Sequence, residues 1–316
     1  MSRADHPLIR RPRRCLALCL AVALTAAACS SSDNAPPDPG TASGPQVGDT
    51  FTIALGGPPT LDPYKANPDP TSTFPLNLTY AALIHRNADG TYGGDLAESF
   101  AYTDDENKAF VIKIRPNLQF ADGTPIDADA VVASLAYFRQ VGLNSRTWGG
   151  SIDTITATDP LTIQVTNKVP NPDMPFIFSQ ASLAGSIISP AGLADPSKLG
   201  QATFGAGPYV LDTSQSVAND HYVFTPNPNY RDPSARHWQK VVIRVITDPT
   251  AAVQSVQAGQ VDFSGAPSNL IPAIEAAGLP YSQGPAAIIG VALADRDGTV
   301  ASPLADQRGA TGPELR

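Results

Sequence analysis

Cys29 is the side chain whose type and setting prescribe a reaction. It closes Ala26-Ala27-Ala28-Cys29, a lipobox-like site at the end of a short apolar run, and the small residues before it admit a peptidase. A thiol at the new N-terminus can form a thioether to diacylglycerol, and several acyl chains together hold a protein to a bilayer far more firmly than one. Ala26 stands where Leu or Val is usual; an ordinary cleaved signal or an uncleaved anchor helix are the alternatives. Arg13-Arg14-Cys15-Leu16 carries part of a twin-arginine signal, so both export routes stay open.

No other constellation asks for catalysis. His6, His85, His221 and His237 are scattered, and none pairs with a cysteine or carboxylate at zinc-site spacing. There is no Gly-x-Ser-x-Gly elbow, and Cys29 is too close to the N-terminus to be a papain-like nucleophile. Gly205-Ala206-Gly207-Pro208-Tyr209 begins like a dinucleotide loop but lacks the third glycine, and Pro208 removes a donor that phosphate would need. Asp295, Asp297 and Asp306 reach calcium-loop spacing only when forced, with Gly298 too early for the turn. Asp104, Asp105 and Glu106 sit beside a turn and read as solvated charges, not as a general acid and base. The expectation is therefore no enzyme, no cofactor and no metal.

The surrounding composition fits an exported protein. Arg10, Arg11, Arg13 and Arg14 lead an apolar stretch, Cys15 to Ala28, too short to cross a bilayer, and no run after Cys29 approaches the roughly 20 residues a spanning helix needs. Cys15 and Cys19 leave with this leader, so Cys29 is the remaining thiol and no internal disulfide can form. The whole chain of 316 residues carries −8; its first 28 residues hold five arginines against Asp5, a surplus of four, which leaves −12 from Cys29 onward. Such a surface gains no counterion release from phosphates, which argues against nucleic acid, and is repelled by anionic lipid, as suits a protein held above its membrane.

Ser30 to Gly48, rich in Ser, Pro, Asp and Gly, reads as a tether without a core. Phe51 to Leu55 has a strand pattern that stops at Gly56-Gly57-Pro58-Pro59, and Leu78, Ala81 and Ala82 place a helix over Asn77–Ile84. Phe110, Ile112 and Ile114 alternate with Val111, Lys113 and Arg115, the period of a strand with one buried face. Asp127 caps a helix with Asp129 in its first turn and Val131, Leu135 and Phe138 on one stripe. Thr162–Val165, Tyr222–Thr225 and Lys240–Ile246 are further strands. Asp248-Pro249 then starts a helix buried through Ala252, Val253 and Val256, and Gly259 closes it before Val261-Asp262-Phe263. Strand-helix-strand order indicates α/β architecture.

In order, Thr60-Leu61-Asp62-Pro63, Leu96-Ala97-Glu98-Ser99-Phe100, Phe120-Ala121-Asp122-Gly123-Thr124-Pro125, Gly205-Ala206-Gly207-Pro208-Tyr209, Asn227-Pro228-Asn229-Tyr230 and Gln257-Ala258-Gly259-Gln260-Val261-Asp262 form a series. That series resembles the extracellular solute-binding proteins of the peptide, nickel and opine class, family 5, that serve ABC importers. The resemblance implies a periplasmic-binding-protein-like α/β fold, bilobal with an extra subdomain, that closes on a solute and is read by permease subunits. It divides the chain into a signal peptide (1–28), a tether (29–48), a first lobe (49–285) and the start of a second lobe with its tail (286–316). Within the first lobe, 49–85 and 195–285 make a core subdomain and 86–194 an insertion. Ser302 to Arg308 looks like the start of a second-lobe helix whose pattern fails at Gly309; the reading is a second lobe lost by truncation or a changed frame, with a natural short form as the alternative.

The function so implied is capture of peptides or similar small solutes at the extracytoplasmic face of the cell membrane, with Cys29 as the lipid attachment. Asp62 and Tyr64, in the loop after the first strand, and Trp148 and Tyr209, as aromatic residues for stacking, are the candidate ligand residues; ordinary loop and core roles are their alternative. A surface lipoprotein that does not transport, or a non-functional fragment of a binding protein, is the rival reading.

Overall fold

Ile53, Ala54 and Leu55 are buried at the end of a strand, β1 (Gly48–Leu55), around which the computed structural model builds its larger sheet; it describes residues 48–283 apart from Pro68 and Asn144. The leader, Cys29, the tether before Gly48 and everything from Gly284 onward lie outside the described residues. The strand starts at Gly48, a position the sequence assigns to the tether: its N–H donates to His237 O (2.8 Å), and a Cβ there would strike the Trp238 ring.

Chain order continues with α1 (Pro70–Thr79), β2 (Ile84–Arg86), β3 (Tyr92–Gly94), β4 (Ala97–Tyr102) and β5 (Ala109–Ile114). Then come α2 (Ala128–Val141), α3 (Ser145–Gly149), β6 (Ile152–Asp159), β7 (Thr162–Asn167), α4 (Met174–Ile177) and α5 (Pro190–Ala194). β8 (Tyr209–Val217), β9 (His221–Pro226), β10 (Trp238–Val245), α6 (Pro249–Gln257), β11 (Phe263–Ser264) and α7 (Ile271–Ala276) complete the elements. One sheet has the order β11-β1-β10-β9-β8, with β1 parallel to both β10 and β11; a second has the order β4-β5-β7-β6, all antiparallel. β2 and β3 form a small hairpin between them in sequence.

Two cores follow from these sheets. Phe110, Ile112 and Ile114 of β5 are fully buried, as their alternation requires, and pack with Val131, Leu135 and Phe138 of α2. Asp127 accepts the Ala130 N–H (2.8 Å) and so caps α2. The second core joins Ile53, Leu55, Phe224, Val241 and Ile243 of the five-stranded sheet. Beneath that sheet, Ala252 of α6 meets Ala54 and Val261, with Asp248 capping the helix through Ala251 N–H (2.7 Å) and Gly259 ending it at φ +67°.

The helix expected over Asn77–Ile84 is instead α1, which has ended by Thr79. Phe74 and Leu78 face the five-stranded core, while Leu76, and Tyr80 just beyond, are buried in the other. A helix covered on two opposite sides shows no single apolar stripe, which is why the pattern misplaces it. After Thr79 the chain is drawn into extended pairing: Ala82 N–H donates to Asp95 Oδ2 (3.2 Å) and Leu83 N–H to Gly185 O (3.1 Å).

The two cores are locked at one joint. Gly207 N–H donates to Thr79 O (3.0 Å), and a Cβ on Gly207 would lie 2.5–2.6 Å from the backbone of Leu78, Thr79 and Tyr80. Ala121 N–H donates to Gly205 O (2.9 Å), Asn227 Nδ2 to Gly207 O (2.8 Å), and Asn229 Nδ2 to Ala121 O (3.2 Å). Within the first core, a separate knot forms at the buried Ser134 of α2, whose Oγ pairs with Tyr64 Oη (2.7 Å) and accepts the Ile188 N–H (2.9 Å).

Both contacts predict stability. Gly207→Ala is expected to cost about 2 kcal/mol or more, because backbone on three residues must move; Gly259→Ala, with open space around it, costs only the left-handed strain, about 1 kcal/mol. Thermal unfolding followed by circular dichroism checks the order. Ser134→Ala leaves the Tyr64 hydroxyl and the Ile188 N–H unpaired and should lose roughly 2–4 kcal/mol, whereas Tyr64→Phe, which leaves Ile188 paired, loses about 1 kcal/mol. Chemical denaturation that ranked Tyr64→Phe as the worse change would contradict this assignment.

Candidate functional site

The parallel strands β1, β10 and β11 end side by side at Leu55, Val245 and Ser264. In open α/β sheets the crevice beyond the carboxyl ends of such strands, where connections leave to different sides, is the place for a ligand. An open pocket of about 550 Å³ lies there, within the range of roughly 300–1,000 Å³ usual for small-molecule sites. Phe74 and Asn77 of α1 form one flank, Ile246 and Thr247 continue from β10, and the segment from Phe263 to Pro267 forms the opposite rim.

Rigid elements hold this wall. Asp69 accepts the Ser72 N–H at the start of α1 (3.1 Å), the Asp248 cap fixes α6, and Asp262 accepts the Thr52 N–H (2.7 Å), pinning the approach to β11 against β1. Ile246 N–H donates to Leu55 O (2.8 Å), so the two strand ends that floor the pocket cannot separate. Its chemistry is neutral. Thr73 donates its hydroxyl to Asp69 O and Ser264 donates its own to Gly265 O, both at 2.8 Å, while the exposed Asn77 amide has no hydrogen-bond partner among the described residues.

Three of the four candidates named from the sequence, Asp62, Tyr64 and Tyr209, stand elsewhere. Asp62 is buried in the loop after β1, accepting the Tyr64 N–H (3.1 Å) and pairing with Lys65 (3.1 Å), whose ammonium it holds above its ordinary pKa. Tyr64 packs against Phe138 with ring centroids 5.1 Å apart, and burial pushes its phenol well up, so it stays a neutral partner for Ser134. Tyr209 donates to Trp238 O (3.0 Å) and accepts the Trp238 N–H (3.2 Å), clamping the start of β8 to the start of β10. Trp148 belongs to α3, its side chain outside the described positions. Asp62, Tyr64 and Tyr209 are all absent from the pocket lining. Among the described residues no three His, Cys, Asp or Glu side chains gather as metal ligands would, and no helix is long and apolar enough to cross a membrane.

Sequence reasoning named none of the described lining residues as a site, Phe74, Asn77 and Phe263 included. The strand ends at Leu55 and Ile246 were legible, and the switch-point rule applied to them would have pointed here. What sequence does not show is that β1 lies between β10 and β11.

Comparison with known proteins agrees with this architecture. The family model for bacterial extracellular solute-binding proteins, family 5, matches residues 91–308. The probable D,D-dipeptide-binding periplasmic protein DdpA of Escherichia coli is 32% identical over 222 residues, 66% of this chain and 41% of that protein. The glutathione-binding protein GsiB of Escherichia coli is 30% identical over 221 residues, 69% of this chain and again 41% of the relative. The murein tripeptide binding protein MppA of Escherichia coli superposes with a TM-score of 0.64 at 22% identity, covering 72% of this chain and 48% of its own, which shows a shared fold. This chain thus spans less than half the length of the relatives it matches. On the family match, with its periplasmic-binding-protein α/β fold, the chain belongs to the bacterial extracellular solute-binding proteins of family 5.

Proposed function

We propose that this chain is the solute-binding component of an ABC importer, presenting one wall of a cleft for peptides or similar small solutes and working with permease subunits. The observation that carries the reading is the open apolar pocket at the ends of three parallel strands, in a chain of this family. DdpA, GsiB and MppA are named for a dipeptide, glutathione and a tripeptide, which favours peptides over other solutes. The activity is binding rather than catalysis. Lobe closure around the solute then gives the permease a state to recognise, since a ligand shifts a conformational equilibrium by its differential affinity for the two forms.

In this reading the five-stranded sheet, with strands drawn from residues 48–55 and 209–264, belongs to the core subdomain (49–85 and 195–285), and the four-stranded sheet, drawn from 97–167, to the insertion (86–194). Asp62, Tyr64 and Tyr209 serve the ligand wall by fixing the strand ends and the loop after β1, a role their buried hydrogen bonds favour. Acylated Cys29 holds the protein to the outer face of the membrane.

Calorimetric titration of the purified full chain with a mixture of short peptides should give saturable heat; no heat would remove the peptide assignment. Cells fed labelled fatty acid should incorporate it into the protein, and Cys29→Ala should abolish that label; label persisting on the variant overturns the anchor. Co-purification with permease subunits separates importer from a surface lipoprotein that does not transport.

A further inference from the structure

We infer that this pocket takes an uncharged apolar group of the solute, an aliphatic or aromatic side chain of a peptide, and rejects a charged one at that position. The inference rests on the pocket being a solute wall, as proposed above. Among the described residues, not one side chain lining it is acidic or basic. Carbon surface from Ile53, Leu55, Phe74, Ile246, Ala252 and Phe263 makes most of the wall, and Phe263 is 53% exposed although it is a large apolar residue beside buried ones. A volume of about 550 Å³ suits a small solute rather than a docked protein.

The charged groups nearest to the lining in sequence are engaged elsewhere. Asp248 and Asp262 flank lining residues in sequence, yet each spends its carboxylate on a backbone donor, Ala251 N–H and Thr52 N–H respectively, both at 2.7 Å. The N-terminus of α6 would favour an anion, but Pro249 has no N–H to offer and the negative cap offsets the helix dipole. A charged side chain entering here would give up its hydration without meeting an oppositely charged side chain in the described lining, whereas an apolar one is favoured by leaving water. The Asn77 amide and Thr247 hydroxyl on the rim remain as neutral hydrogen-bonding groups for a peptide backbone.

The test is calorimetric titration of the full chain with Ala-X-Ala tripeptides in which X is Phe, Leu, Glu or Lys. The Phe and Leu peptides should bind about tenfold or more tightly than the Glu and Lys peptides. Asn77→Asp, nearly unchanged in shape and on an exposed position, should narrow the deficit of the Lys peptide alone, while Phe263→Ser should weaken the Phe peptide with the melting temperature retained. Equal affinity across the four peptides overturns this inference and leaves the peptide reading standing. Failure of all four to bind overturns both.

Discussion

The backbone of Gly205 and Gly207 runs so close to Thr79 and Tyr80 that no side chain fits between them, and the rest of the fold is registered on that contact. Backbone groups brought together out of water must find partners. Here they do: Thr79 O takes the Gly207 N–H, Gly205 O takes the Ala121 N–H, and the buried Asn227 reaches Gly207 O while its own Oδ1 accepts the Asn229 N–H (2.9 Å). Asn229 then returns to the carbonyls of Phe120 and Ala121. Three short segments that are distant in sequence and individually unremarkable close a single hydrogen-bonded ring. Their residue types are explained by the contact: glycine where Cβ would collide, asparagine where one side chain must serve both a donor and an acceptor.

This joint makes the smaller features intelligible. The Asp95 carboxylate accepts the Ala82 N–H with one oxygen and faces Arg231 with the other (Nε and the terminal nitrogen both at 3.0 Å), so the turn before β4 is tied to the segment after Asn229. Asp122 accepts from Ser189 Oγ (2.8 Å) and from Thr124; burial pushes its carboxyl up, but these hydrogen bonds outweigh it and the net pKa is lowered. A carboxylate held low in the fold supports it at neutral pH, and that support fades as the pH falls through its folded value. The turn at Asp122-Gly123-Thr124-Pro125 therefore does more than launch α2: it connects the start of α2 to the cap of α5.

Much of this was legible where one physical rule acts locally. The alternation of Phe110, Ile112 and Ile114, the caps Asp127 and Asp248, and the stop at Gly259 are each decided within a few residues, and the structure has them all. The order of motifs identified the family correctly. Sequence failed where burial has two sources or none. α1 is covered on opposite faces and loses its stripe; β6, rich in threonine with Ile152 as its one buried residue, is an edge strand held by pairing with β7 and has no apolar alternation to read. The hydroxyls of Tyr64 and Tyr209, two of the candidate ligand residues, are engaged in the scaffold, partnerships that nothing in their spacing could announce. The pocket itself arises from β1 lying between β10 and β11, a purely non-local fact.

The joint and the pocket are coupled through α1. Its Thr79 end is fixed against Gly207, Leu76 and Leu78 pack it into both cores, and Phe74 and Asn77 on the same helix reach the pocket flank. A wall held this way loses little freedom when a solute arrives, and affinity gained by preorganisation comes from ordering that need not occur on binding. The opposite rim, Phe263 to Pro267, is joined to β1 by the short parallel pairing of Ile53 with Phe263 and Ala54 with Ser264, and by Asp262 on the Thr52 N–H. It is the less restrained side, because two paired residues resist displacement far less than an eight-residue strand. On the proposed reading, small adjustments of the site to different apolar groups belong to the β11 rim, while α1 sets the shape that all of them must fit.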